Sequence, residues 1–299
     1  MTKKKKHPPW QRIFLIALVV LLGLLFVFSR GYRSARRATI SSQQEEERQT
    51  HENDTKVGHQ DTVEEQSHMK ADDTYFTPAI TKEALLGKLV PSSHQDFVEV
   101  ALSMASREGI YMREEAYKAF TSMYEAAREE GVTLRVISGA RSFDHQKRIW
   151  EEKWNGLRKL HGDVKATDIE DAGERALEIL RFSAMPGTSR HHWGTDIDLN
   201  SLQNSYFDSF EGREVYRWLR QHAYDYGFCQ PYTAHGQDRE GGYEEEKWHW
   251  SYYPVAADFL RAYRHMIVYE DINGFDGSET AKELDVIEKY VLDINEDCY

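Results

Sequence analysis

The stretch Pro186-Gly187-Thr188-Ser189-Arg190-His191-His192-Trp193-Gly194-Thr195-Asp196-Ile197-Asp198 gathers two histidines, two aspartates and a serine. Pro186-Gly187 is turn chemistry, Gly194 interrupts the pattern, and Thr195 to Leu199 reads as a short strand. Imidazole nitrogens and carboxylate oxygens at this density form the donor set of a zinc-type site, where three protein ligands leave one position for water. His191 and His192 are adjacent and diverge, so only one of them reaches a common ion. Asp196 and Asp198 lie two apart in a strand and share a face. Spacing alone therefore chooses neither the histidine nor the aspartate.

Outward from this stretch, helical and strand patterns alternate irregularly. Arg113 to Glu130 carries Ala116, Phe120, Met123, Tyr124 and Ala127 at helical spacing, with Gly131 placed to end the helix. Val132 to Ile137 alternates like a half-buried strand. Helices are expected at Phe143 to Trp154, Ile169 to Phe182 and Arg213 to Tyr226, and terminal helices at Val255 to His265 and Ala281 to Val291. Short strands are expected at Gly227 to Tyr232 and Lys247 to Tyr252, separated by a Gly- and acid-rich loop from Thr233 to Glu245. Helices mixed with short, separated strands predict an α+β fold rather than a βαβ repeat.

The 299 residues carry a net charge of −12, which hides an asymmetry. Residues 1–40 contain nine Lys and Arg and no acid, so they hold +9 and the rest of the chain holds −21. So acidic a body lacks the clustered cations that phosphate contacts need, and no nucleic-acid partner is expected. Lys3 to Lys6 and Trp10 precede an apolar run at 13–29, at the short end of a membrane span of ~17–25 residues. Basic flank, apolar middle and interfacial Trp predict a signal anchor. Residues 41–75 are polar and acidic and read as a flexible stalk. The domains expected are thus the basic N-terminus with its anchor at 1–40, the stalk at 41–75, a catalytic domain at 76–270 and a C-terminal helical extension at 271–299, with the catalytic domain outside the cytoplasm in the cell envelope. Ser67 and Lys70 match an S-x-x-K nucleophile pattern, but neither K-T-G nor S-D-N accompanies it, and the match is read as coincidence. Two cysteines, Cys229 and Cys298, make either one bridge or two free thiols.

A second group of candidates lies far along the chain. His249, with Glu246 three residues before it, could complete a His-Asp-His set and add a base. Ser189-Arg-His-His-Trp-Gly-Thr-Asp-Ile-Asp198 resembles the S-x-H-x-x-G-x-x-x-D motif of the zinc D-alanyl-D-alanine carboxypeptidases of the vancomycin-resistance type. Glu246-Lys-Trp-His249 resembles their E-x-W-H. Ser138-Gly-Ala-Arg-Ser-Phe-Asp-His-Gln146 resembles their S-G-x-R-S-x-x-x-Q segment. The three motifs occur in the family's order. Asp196 departs from it, since many members carry a small apolar residue there.

The resemblance implies a Hedgehog/D,D-peptidase-like fold, a small, mainly antiparallel sheet flanked by helices. It implies that His191, Asp198 and His249 bind Zn2+, that Glu246 is the general base, and that Arg141 grips the terminal carboxylate of the substrate, with Ser189 and Gln146 beside it. The expected reaction is removal of the C-terminal D-alanine from peptidoglycan stem peptides. The same residues would also suit an L,D-carboxypeptidase or endopeptidase acting on those stems, or a non-catalytic wall-binding module.

Overall fold

The computed structural model describes residues 80–236 and 239–299. The expected anchor at 13–29 and stalk at 41–75 lie outside them, and no helix among the described residues is long and apolar enough to cross a membrane. A single-turn helix, α1 (Lys82–Leu85), begins at Thr81, whose hydroxyl accepts from the Ala84 N–H. An antiparallel pair follows, β1 (Phe97–Glu99) with β2 (Tyr111–Arg113), which the sequence pattern did not suggest because three-residue strands carry too little periodicity. Helix α2 (Glu114–Glu129) matches its expected span and buries Ala116, Phe120, Met123 and Ala127. Gly131 takes a left-handed φ of 77° just past its end.

The central sheet has four strands in the order β3 (Val136–Ser138), β4 (Asp196–Leu199), β6 (His249–Tyr252), β5 (Phe228–Cys229), and every pair is antiparallel. The fold is α+β, as expected. Helix α3 (Phe143–Trp154) occupies its expected residues, capped by the Ser142 hydroxyl accepting from the His145 N–H at 3.2 Å. Such a cap is worth ~1 kcal/mol and starts the helix immediately after Arg141. Helix α4 (Ala172–Leu180) starts later than expected, because Asp171 caps it and Ile169 is extended. The remaining helices are α5 (Phe210–His222), α6 (Tyr253–Met266) and α7 (Thr280–Glu283).

Other expectations need correction as well: the strands at Gly227 to Tyr232 and Lys247 to Tyr252 shorten to β5 and β6, and the helix at Arg213 to Tyr226 starts at Phe210 and gives way to a 3₁₀ turn after His222. The strand at Val132 to Ile137 shortens to Val136–Ser138: Leu134 is buried as the alternation suggests, but ladder pairing with β4 starts only at Val136. The terminal helix at Ala281 to Val291 breaks at Asp285, whose φ is +55°, and the chain resumes as a π-helical turn, Ile287–Leu292. The segment 271–299 buries Ile272, Phe275, Val286, Val291 and Cys298 in the same cluster as α3, α4 and α6.

Alternation gives the sheet two unlike faces. Ile197 and Leu199 of β4 and Trp250 of β6 point into an apolar cluster with Phe120 and Met123 of α2 and Trp218 and Leu219 of α5. Asp196, Asp198, His249 and Ser251 occupy the opposite face, and they too are buried. A polar face that is withdrawn from water must satisfy its groups internally, and this one does so through the arrangement described below.

Cys229 on β5 and Cys298 are disulfide-bonded, with Cα atoms 5.6 Å apart, which resolves the open alternative in favour of the bridge. It closes a loop of 69 residues, and native bridges of this kind contribute about 2–4 kcal/mol. Replacing Cys298 by Ser should lower unfolding free energy by about that amount in denaturant titrations. Reductant should lower the midpoint of the natural chain and leave the variant unaffected.

Candidate active site

The register of the sheet builds the site. Asp198 lies opposite Ser138 on one side and His249 on the other, so three strands present one transverse row. Directly opposed antiparallel residues have Cβ atoms about 4.5–5.5 Å apart. The next row pairs Asp196 with Ser251. His191 reaches the first row from the 3₁₀ turn Arg190–Trp193, which Gly194 ends with a φ of 74°. A Cβ on Gly194 would lie 2.4 Å from the Phe97 ring, so the turn is compatible only with glycine.

One donor atom from each of His191, Asp198 and His249 lies within 4.8 Å of the others, and all three residues are buried. His191 Nδ1 donates to the Gly139 carbonyl at 2.9 Å, which leaves Nε2 as the lone-pair nitrogen. That Nε2 lies 3.3 Å from Asp198 Oδ1, and neither atom has a hydrogen-bond partner although both are buried. Burial of His191 and the charge of Arg141 depress its pKa, which suits the neutral form a metal ligand needs. His249 Nδ1 faces the same Asp198 oxygen at 3.7 Å. Two orphaned, buried donor atoms converging with a third are what a divalent cation would satisfy, and the nitrogen and carboxylate set fits zinc.

Asp196 is not part of this cluster. Its Oδ2 accepts from His249 Nε2 and from Arg190 Nε, both at 2.9 Å, and its Oδ1 accepts from Thr195 Oγ1 at 2.7 Å and Ser251 Oγ at 2.8 Å. Burial opposes ionisation of Asp196, but Arg190 and His249 outweigh it and hold the carboxyl well below the usual range. Asp196 thus orients His249 from behind, in the manner of outer carboxylates at metal sites. Arg190, itself buried, balances its charge and lies over the Trp193 ring at 4.7 Å. His249 therefore has a carboxylate on each nitrogen, since Glu246 Oε2 lies 2.9 Å from Nδ1. Burial alone would depress its pKa, but hydrogen bonds to Asp196 and Glu246 override that and push it up to about 9. A cation between the three donors would take the place of the Nδ1 proton.

Glu246 is buried in the wall of the same cavity, and burial raises its carboxyl pKa against the opposing pull of His249. The cavity, of about 330 Å³, is also lined by Arg141, Ser189 and Lys153. Arg141 uses every guanidinium nitrogen: Nε donates to Ser138 Oγ at 3.1 Å, Nη1 to Gln146 Oε1 at 3.0 Å and Nη2 to Asp198 Oδ2 at 2.9 Å. Gln146 is fully buried, and its amide nitrogen donates to the Ala184 carbonyl at 2.8 Å. It holds Arg141 rather than opening onto the cavity. Ser189 stands at the N-terminus of the 3₁₀ turn without making a side-chain cap bond there, and it lines the cavity.

His192 turns away from the cluster. Its Nδ1 lies 2.8 Å from the Arg141 carbonyl, and Nε2 accepts from the Gly187 N–H at 3.0 Å. Burial, opposed in part by the Arg141 carbonyl, pushes it down to about 3, so a neutral imidazole ties the Arg141 loop to the Pro186–Gly187 turn. The structure therefore brings together all seven residues singled out from the sequence, and it adds Asp196, Arg190 and Lys153. The signal for Asp196 was visible as an acid two residues from Asp198. Nothing in the local pattern marks Lys153.

Replacing His191 by Ala should abolish tight zinc binding, read by competition with a chromophoric chelator. Asp196→Asn should weaken the same affinity by roughly 10–100-fold, as loss of an outer-sphere partner does.

Residues 109–255 match the family model described as D-alanyl-D-alanine carboxypeptidase (VanY). The chain is 32% identical over 174 residues to YodJ of Bacillus subtilis (strain 168), covering 56% of each chain. It is 33% identical over 137 residues to a D-alanyl-D-alanine carboxypeptidase of Enterococcus faecalis (strain ATCC 700802 / V583), covering 45% of this chain and 46% of that one. It thus spans about half the length of these two curated relatives. Over 109 residues it is 32% identical to a protein of Haemophilus influenzae (strain ATCC 51907 / DSM 11121 / KW20 / Rd), covering 36% of this chain and 70% of that one.

Proposed function

Since the chain belongs to the VanY family of D-alanyl-D-alanine carboxypeptidases, we propose that it is a zinc carboxypeptidase that removes the C-terminal D-alanine from peptidoglycan stem peptides. The observation that carries this reading is the pair of buried, unpartnered atoms His191 Nε2 and Asp198 Oδ1, converging with His249 beside the Glu246 carboxylate.

His191, Asp198 and His249 would hold the metal. Zinc, when bound, supplies Lewis acidity that polarises the scissile carbonyl and lowers the pKa of a water from 15.7 toward about 7. Glu246 takes a proton from the attacking water and returns it to the leaving amine. Its raised pKa favours this shuttle, because a base that binds its proton too weakly cannot pass it on effectively. Arg141 meets the terminal carboxylate of the peptide with a planar cation, which selects a chain end over an internal bond. Ser138, Gln146 and Asp198 fix the plane of its guanidinium before substrate arrives. Ser189 offers a hydroxyl not engaged in capping to the substrate's polar groups.

The domain is proposed to work outside the cytoplasm, held to the membrane by the apolar run at 13–29 and spaced from it by residues 41–75. The basic flank of that run supports this placement, as does the Cys229–Cys298 bridge, which persists in oxidising compartments.

Glu246→Gln should retain zinc and lose about 10²–10⁴-fold in kcat, measured as D-alanine released from pentapeptide muropeptides and weighed by mass spectrometry. Undiminished turnover by this variant would sink the mechanism. Tetrapeptide stems in the same digest separate D,D- from L,D-cleavage.

A further inference from the structure

Lys153 lines the cavity, and the mechanism gives it no task. Helix α3 turns His145, Ile149 and Lys153 toward the cavity, residues four apart and therefore on one face. The other cations of the wall are mostly matched by carboxylates: Arg141 by Asp198 at 2.9 Å, Arg190 by Asp196 at 2.9 Å and Arg158 by Glu152 at 2.7 Å. The two carboxylates of the wall are engaged as well, Asp198 with Arg141 and Glu246 with His249. Among the described residues, no carboxylate lies within ion-pair distance of Lys153, and its ammonium donates to the neutral Ser183 hydroxyl.

Lys153 is half-buried, and an ammonium partly withdrawn from water without a counter-charge costs stability. Desolvation, with the nearby Arg158, pushes Lys153 down to about 8, which still leaves it mostly charged at neutral pH. Its position supplies the second half of the argument. From His145, close to Arg141, to Lys153 is eight residues of helix, about 12 Å along the axis. That is the length of three to four extended peptide residues. A peptide whose chain end is held at Arg141 and which runs along α3 would bring a residue upstream of the scissile bond within reach of Lys153.

We infer that Lys153 is a second anion-binding position in this cavity, taking a free carboxylate that the peptide carries upstream of its C-terminal one. The inference rests on the stem-peptide reading of the cavity and narrows its substrate class to stems with such a side carboxylate. Two groups in a stem have this chemistry: the α-carboxylate of a γ-linked glutamate, and the second carboxylate of a diaminopimelate at the third position. A lysine at that position lacks the latter.

The test uses four pentapeptides that differ only in whether each of these carboxylates is free or amidated. Their binding to the zinc-loaded full chain carrying Glu246→Gln is measured by calorimetry, so that hydrolysis does not intervene. Amidating one of the two groups should weaken binding by about tenfold when Lys153 is present. The preference should shrink to within about twofold in Lys153→Met and return in Lys153→Arg. Equal binding of all four peptides, or a preference that survives Lys153→Met, overturns the inference.

The zinc-loaded natural chain is assayed on the same peptides for D-alanine release. Release from all four at equal KM overturns the Lys153 subsite and leaves the carboxypeptidase reading standing. A tenfold binding preference without any release supports the subsite and sinks the carboxypeptidase reading.

Discussion

The transverse row Ser138–Asp198–His249 is the constraint on which the rest of the site depends. Antiparallel pairing sets these Cα atoms opposite one another, and the pleat directs their side chains to one face. A slip of one residue in the β4–β6 register would turn Asp198 toward the apolar cluster in place of Ile197 and Leu199 and destroy both the site and the core. The packing of Ile197, Leu199 and Trp250 against α2 and α5 therefore stabilises the ligand geometry as much as any contact within the site. The hydrophobic face enforces the register, and the register positions the donors.

Burial of the polar face creates an electrostatic problem that the chain solves in layers. Asp198 is bracketed by His191 and Arg141, and Asp196 by His249 and Arg190. Hydroxyls of Thr195 and Ser251 take up the other oxygen of Asp196. Arg190 Nη1 and the Tyr243 hydroxyl are also left without a partner nearby, but His191 Nε2 and Asp198 Oδ1 face each other at 3.3 Å. Two facing atoms with lone pairs and no proton between them are what a cation would satisfy. The two aspartates thus differ in position: Asp198 would offer an oxygen to an ion, and Asp196 holds the imidazole whose other nitrogen faces the same point.

Much of this was legible before any coordinates. The dense stretch from Ser189 to Asp198 announces metal chemistry because few other functions need so many nitrogen and oxygen donors in one place. Helices such as Glu114–Glu129 and Phe143–Trp154 followed from their apolar spacing and from caps that local sequence supplies. Less was legible where partners are distant. The short β1–β2 pair has too few residues to show a period, and the break at Asp285 depends on how the C-terminal segment meets the core.

The sequence by itself determined the donor inventory, the main helices and the α+β class, because these depend on residue type and on neighbours a few positions away. Between Asp196 and Asp198, and between His191 and His192, spacing left the choice open and only motif resemblance favoured one. The tertiary structure shows where each side chain goes, and it alone paired Cys229 with Cys298. Each of those outcomes is a matter of which distant atom lies within about 3 Å, the range of a hydrogen bond. Asp196 and Asp198 share a strand and a face, so spacing could never separate them. Arg190 beside one and Arg141 beside the other do so, and both assignments are made by the fold.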